Sequence, residues 1–177
     1  MPETKLNDLY AKQMTWPRLI MKGLVQGILC YNFYHYSTAH KTDWDCYATD
    51  KKQPNDSVGE NMTEAFTKVI SYAFYLSLVG CLVTLVEMMT KIAKKKEFTV
   101  PIGVLDTIVG LLAAAWLIWA TVVRLSRDGK ICAGATMNVN AETFPYAYNQ
   151  GVLLQVILVL GYIVPPTLFV ATNCGCL

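Results

Sequence analysis

The chain has 177 residues, of which 54% are hydrophobic and 16% are charged, and its formal net charge at pH 7 is +2. A water-soluble domain of this length needs a larger share of polar surface than this composition supplies. The sequence therefore predicts a membrane protein. Crossing a bilayer takes about 20 mostly apolar residues, and each of four segments is long enough to do so.

The predicted spans, in chain order, cover residues 18–39, 69–89, 102–123 and 148–171. The last three are clearly apolar. The first is the weakest because it contains Lys22, Gln26, Asn32 and His35, and a partly buried or interfacial segment is its alternative. An even number of spans places both termini on one side of the membrane. The fold class expected is an all-α four-helix transmembrane bundle.

The loops around these spans define the predicted organisation of the chain. Residues 1–17 are an N-terminal segment, residues 18–172 a four-span transmembrane domain, and residues 173–177 a short tail. Basic residues are concentrated in the N-terminal segment and in the loop KIAKKKEF, residues 91–98. Cytosolic loops carry an excess of lysine and arginine, so this bias places both termini and that loop in the cytosol.

Two glycosylation sequons support the same orientation. Asn55-Asp-Ser and Asn61-Met-Thr both fall in the loop between spans one and two, which is predicted to face outward or toward a lumen. Sequons also arise by chance. Asn55 is the better candidate for a glycan because Asn61 lies close to the second span.

The chain has six cysteines. Cys46 and Cys132 lie in the two outer loops, so in an oxidising compartment we expect a disulfide that links these loops, with two free thiols as the alternative. The chain-entropy model gives such a long closed loop about 4 kcal/mol. Cys30 and Cys81 lie within spans and are interpreted as small buried side chains.

Two further cysteines end the chain in the sequence NCGCL. The spacing of Cys174 matches a prenylation box, but the residues that follow it are not the usual aliphatic ones. S-palmitoylation of Cys174 or Cys176 fits better, and two unmodified thiols remain the alternative.

Charged residues inside the predicted spans form a candidate polar pin. Asp106 lies about one turn inside the cytosolic end of the third span, and Glu87 lies near that end of the second, four residues before Lys91. Spacing of this kind lets Glu87 and Lys91 pair along one helix face. A carboxylate in hydrocarbon costs a few kcal/mol unless it is paired, so we expect Asp106 to pair with Lys22, and Lys91 is the next candidate. An ion path would need more ionisable groups at mid-depth, where the third span has none.

Two patterns bear on helix packing. Gly23 and Gly27 form a GxxxG sequence on the first span, which favours close approach of a second helix. The pair Pro165-Pro166 in the fourth span predicts a kink or an end of that helix.

No catalytic, cofactor-binding or metal-binding pattern occurs in the sequence. The histidines, His35 and His40, have no cysteine partner at ligand spacing, and there is no P-loop and no nucleophile elbow. The expectation is therefore a protein that is not an enzyme and has no cofactor. The lysine-rich loop is short, so we expect it to set topology and contact anionic lipid rather than bind nucleic acid.

The third span carries a resemblance to a known family. It has Pro101, Asp106, three alanines at 113–115, Trp116 and Trp119. This arrangement resembles the MARVEL-type tetraspan membrane proteins, the physins among them, in which an acidic residue opens the third helix and a small-residue and aromatic run follows. The four-helix plan, the cytosolic termini, the outer-loop cysteines and the short basic loop are also similar. The resemblance covers roughly residues 18–171.

The resemblance implies a non-enzymatic scaffold or trafficking protein that packs against membrane lipids and other integral membrane proteins. The expected location is an endomembrane or the plasma or ciliary membrane, ahead of the mitochondrial inner membrane. An accessory subunit of a larger channel, pump or respiratory assembly is the alternative, because such subunits are also small, helical and free of catalytic residues. A small transporter is the third hypothesis.

Overall fold

The computed structural model describes residues 15–38, 45–46, 61–94, 96–134 and 145–173. Regular structure in these ranges is helical. The helices are α1 (Trp16–Thr38), α2 (Met62–Ile92), α3 (Thr99–Leu125), α4 (Arg127–Cys132) and α5 (Pro145–Asn173), with a 3₁₀ turn at Lys96–Phe98 ahead of α3. Helices satisfy their own backbone hydrogen bonds, which is what an apolar environment demands.

Two of these helices, α2 and α3, are long and apolar enough to cross a membrane by their length and composition. They have 31 and 27 residues. At about 1.5 Å per residue each exceeds the roughly 30 Å of a bilayer's hydrocarbon core. The third apolar stretch, Ala147–Ile163 within α5, is shorter. The all-helical class and the membrane character of α2 and α3 agree with the sequence.

The helix ends follow local chemistry. Helix α2 begins seven residues before the predicted span because the Asn61 side-chain oxygen accepts a hydrogen bond from the Glu64 N–H at 3.1 Å and caps the first turn. At the other end of α2, Lys94 has φ 54°, a left-handed conformation that stops the helix. Ser126 caps α4 by accepting from the Gly129 N–H at 3.0 Å.

Of the two alternatives for Pro165-Pro166, a kink or an end of the helix, the end does not occur, since α5 continues through both prolines to Asn173. Proline fixes φ near the helical value, and each one removes only a single backbone donor.

The chain divides into two compact units. Unit 1 comprises residues 1–38 and 71–115, and its described part holds α1, most of α2 and the first part of α3. Unit 2 comprises residues 39–70 and 116–177, and its described part holds the beginning of α2, the end of α3, α4 and α5. Side chains buried in unit 1 include Leu19, Phe33, Ala73, Val83 and Ile102; those buried in unit 2 include Met62, Phe66, Ile70, Ala120 and Leu154.

Candidate functional site

The ionisable side chains of unit 1 meet around one lysine. Lys22 Nζ lies 3.0 Å from Glu87 Oε2 and 3.2 Å from Glu87 Oε1, and 2.5 Å from Asp106 Oδ1. One ammonium group therefore links three helices. The structure places Lys22, one of the two expected partners, on Asp106, and it adds Glu87 to the same cluster.

Each member of the cluster comes from a helix end. Lys22 is in the second turn of α1, Glu87 is five residues before the end of α2, and Asp106 is in the second turn of α3. Only a short connection separates α2 from α3, so the adjoining ends of these helices bring their carboxylates together. Residues far apart in sequence thus share one cation.

The charges in the cluster do not balance. Two carboxylates face one ammonium, which gives a formal charge of −1. The Glu87 side chain is only 7% exposed and the Lys22 side chain 20%, whereas the Asp106 side chain is 33% exposed. Glu87 is thus enclosed by protein, and Asp106 lies at the outer edge of the cluster.

Lys91, which the sequence offers as a partner for Glu87 or Asp106, has its ammonium 5.2 Å from the centre of the Trp16 ring. A cation over an indole face is attracted by the ring's electron density. The contact ties the end of α2 to the beginning of α1.

A second polar layer lies one turn further along α1. Thr84 Oγ1 donates to Gln26 Oε1 at 2.8 Å and can also bond the Gly80 carbonyl at 2.9 Å. A Cβ at Gly80 would lie 2.7 Å from Gln26 Nε2, so glycine is what admits the amide there. Sequence reasoning did not single out Gly80 or Thr84. Their signal is weak because either residue is common in an apolar helix.

The GxxxG pair divides between two environments. A Cβ at Gly23 would lie 3.4 Å from Met88 Cε and 3.7 Å from Thr84 Cγ2, so this glycine faces α2. Gly27 has no atom of the described residues within 4 Å of such a Cβ. The close helix approach that the GxxxG sequence favours is therefore seen at Gly23 and not at Gly27.

The two cysteines within the predicted spans lie along the same side of α1 as Lys22 and Gln26, where α1 meets α2. The thiols of Cys30 on α1 and Cys81 on α2 lie next to each other, and both residues are half-buried. On α1 the polar positions run Lys22, Gln26 and Cys30, each four residues after the last. That spacing keeps them on one face of the helix.

Unit 2 has its own polar contacts. Arg124 is only 4% exposed; its Nε donates to the Gly151 carbonyl at 2.9 Å and its Nη2 to Gln155 Oε1 at 2.8 Å. The Trp116 indole N–H donates to the Val69 carbonyl at 2.9 Å. The sequence analysis did not single out Arg124. Gln155, a polar residue within the apolar fourth segment, was the available signal that Arg124 has a side-chain partner there.

Cys46 and Cys132 are joined in the structure, with Cα atoms 5.9 Å apart. Both are fully buried. The Cys46 N–H donates to Thr63 Oγ1 at 2.9 Å, and the Met62 N–H donates to the Cys46 carbonyl at 3.0 Å. The first turn of α2 therefore holds the segment that carries Cys46 next to the end of α4.

The remaining predicted sites fall in different places. Asn61 is the capping residue of α2, as described above. Asn55, Cys174 and Cys176 lie outside the described residues. Within the described ranges, no group of three or more histidine, cysteine, aspartate or glutamate side chains could hold a metal ion.

No family model, no curated protein and no solved structure matches this chain.

Proposed function

We propose that this chain is a non-enzymatic integral membrane protein with four spans, which organises membrane lipids and partner membrane proteins. The MARVEL-type resemblance of its third helix implies a scaffold or trafficking role of this kind. The proposed orientation has both termini in the cytosol and the Cys46–Cys132 pair linking the two outer loops.

The observation that carries the proposal is the inverted polarity of α1. From residue 19 to residue 31, its polar side chains, Lys22 and Gln26, are half-buried against α2 and α3. The exposed positions in that stretch are all apolar or glycine: Ile20, Met21, Leu24, Val25, Gly27, Ile28 and Tyr31. A helix in water shows the opposite pattern. This pattern supports α1 as a span despite its moderate hydropathy.

The outer surfaces of the other long helices have the same character. The most apolar window of α3 is only 11% buried, and that of α2 is 28% buried. A soluble protein rarely leaves contiguous apolar surface of this extent in water. Lipid is the solvent that such faces fit.

An accessibility experiment tests the number of spans and their orientation. Single cysteines introduced at Lys5 and at Lys94, in a background without other free thiols, should react with an impermeant maleimide only from the cytosolic side of sealed membranes. A glycan on Asn55, removable by a glycosidase and abolished by Asn55→Gln, would report the opposite side. Labelling of Lys5→Cys and Lys94→Cys from different sides would show that the region between them crosses the membrane once, and would contradict the four-span proposal.

Purification from native membranes in a mild detergent, followed by mass spectrometry, tests the organising role. We expect substoichiometric partners and co-purified lipid. Recovery in a complex of fixed stoichiometry would favour the accessory-subunit hypothesis. That hypothesis is favoured specifically by the exposed carboxylate of Asp106 on an otherwise apolar surface.

A further inference from the structure

We infer that the exposed face of α3 formed by Asp106, Gly110 and Ala114 is a docking surface for a transmembrane helix of a different protein, one that carries a lysine or arginine at the depth of Asp106. This inference rests on the membrane placement proposed above and specifies the chemistry of the partner. Hereafter these three residues are called the α3 face.

The spacing of the α3 face places its members in one row. Residues four apart on a helix lie one above another on the same side, so 106, 110 and 114 are aligned. Gly110 and Ala114 are both exposed. A Cβ at Gly110 would have no atom of the described residues within 4 Å, so the space above this row is open.

Charge identifies the kind of group that would bind at the Asp106 end of the row. Lys22 is shared between Asp106 and the more deeply buried Glu87, so the cluster keeps a formal charge of −1. The bond to Asp106 is made at Oδ1, and among the described residues none donates to Oδ2. A second cation at Oδ2 would neutralise the cluster. Because the Asp106 side chain is 33% exposed, that cation can approach from outside the chain.

Lipid alone does not suit this surface. The apolar neighbours of the row, Leu105, Leu111 and Leu112, are 52%, 67% and 53% exposed and are compatible with acyl chains. The Asp106 carboxylate is less so, because it shares the Lys22 ammonium with Glu87, and a charge in hydrocarbon costs a few kcal/mol unless it is fully paired. Small residues such as Gly110 and Ala114 let a second helix approach closely. A helix with a basic side chain satisfies both features at once.

A second copy of this chain does not fit the same site through the same face. Two such faces in contact would bring two Asp106 carboxylates together, and like charges at short range repel. The partner is therefore a different chain, with the complementary charge.

The experiment uses the full-length protein in phosphatidylcholine vesicles and synthetic transmembrane peptides as probes. Three fluorescent poly-leucine peptides differ at one position, set at the depth of Asp106, which is lysine, leucine or glutamate. Energy transfer from the protein to each peptide measures association. We expect the lysine peptide to bind about tenfold more tightly than the leucine peptide, in keeping with the strength of polar contacts between membrane helices. The glutamate peptide should bind least.

Variants separate the charge from the packing surface. Asp106→Asn should reduce binding of the lysine peptide to the level of the leucine peptide. Gly110→Leu should weaken binding of both by filling the row. Gly27→Leu is the matched control, because Gly27 is also an exposed helical glycine with open space at its Cβ, but on α1. It should leave binding unchanged.

The outcomes distinguish this inference from the proposed function. If the protein inserts with protease-protected spans but binds lysine and leucine peptides equally, the α3 face is not a charge-selective docking surface and the membrane proposal stands. Equal effects of Gly110→Leu and Gly27→Leu would also overturn the inference. Energy transfer between donor-labelled and acceptor-labelled copies of this protein that is abolished by the lysine peptide would show that the occupant is a second copy. Failure to insert would overturn both proposals.

Discussion

Replacing Lys22 by leucine removes the ammonium group that contacts both Glu87 and Asp106. Two carboxylates then remain close together between helices. Removing one partner of a buried ion pair typically costs about 3–5 kcal/mol, and the 20% exposure of the Lys22 side chain favours the lower end of that range. We expect Lys22→Leu to lower the free energy of unfolding by about 3 kcal/mol.

The two carboxylates should differ in how far their removal restores stability. Glu87 receives two contacts from Lys22 and is 7% exposed, whereas Asp106 is 33% exposed and can turn toward the membrane interface. In the Lys22→Leu background, Glu87→Leu should therefore return about 2 kcal/mol and Asp106→Leu at most about 1 kcal/mol. The triple variant should be nearest to wild type, because no charge is left without a partner.

The assay is reversible unfolding in detergent micelles by titration with sodium dodecyl sulfate, followed by tryptophan fluorescence, with gel filtration to verify monodispersity. Lys68→Leu is the control. Its ion pair with Glu64 is formed by side chains that are 63% and 60% exposed, and such pairs contribute about 0.5 kcal/mol or less. If Lys22→Leu costs no more than Lys68→Leu, the cluster does not hold the helices together. If Asp106→Leu restores as much stability as Glu87→Leu, the burial argument fails.

Two further predictions concern unit 2. Gly151→Ala should destabilise the protein by about 1–3 kcal/mol, because its new Cβ would collide with Ala133 Cβ and lie 3.1 Å from Ala133 Cα, while Gly27→Ala, with open space, should change the unfolding midpoint little. Equal effects of Gly151→Ala and Gly27→Ala would show that α5 does not pack against Ala133 at Gly151. Cys46 and Cys132 should be recovered as one disulfide-linked peptide pair in non-reducing mass mapping of freshly lysed cells blocked with maleimide. Their loss to Ser should cost about 4 kcal/mol by the chain-entropy model, and recovery of both as blocked free thiols would contradict the pairing.

Composition and the length of the apolar runs were sufficient for the all-helical class and for the positions of α2 and α3. Long apolar runs can satisfy their backbone only as helices in lipid, so α2 and α3 were recognisable without any tertiary information. The beginning of α2 was not, because its first turn depends on the cap from Asn61 and on the bond between Thr63 and Cys46. Whether α5 continues through Pro165-Pro166 was left open by the sequence, since proline can either kink a helix or end it.

The sequence by itself determined that Asp106 needed a cation near one end of the third helix, because an unpaired carboxylate is costly in hydrocarbon. It placed Lys22 ahead of Lys91 as the partner, although both lie at a similar depth. Only the packing of α1 against α2 and α3 decided that Lys22 contacts both Glu87 and Asp106, while Lys91 lies over Trp16. Depth along a helix can be counted from the sequence. The rotation of one helix about its axis relative to another depends on the whole set of side chains that pack between them, and that rotation decides which groups meet.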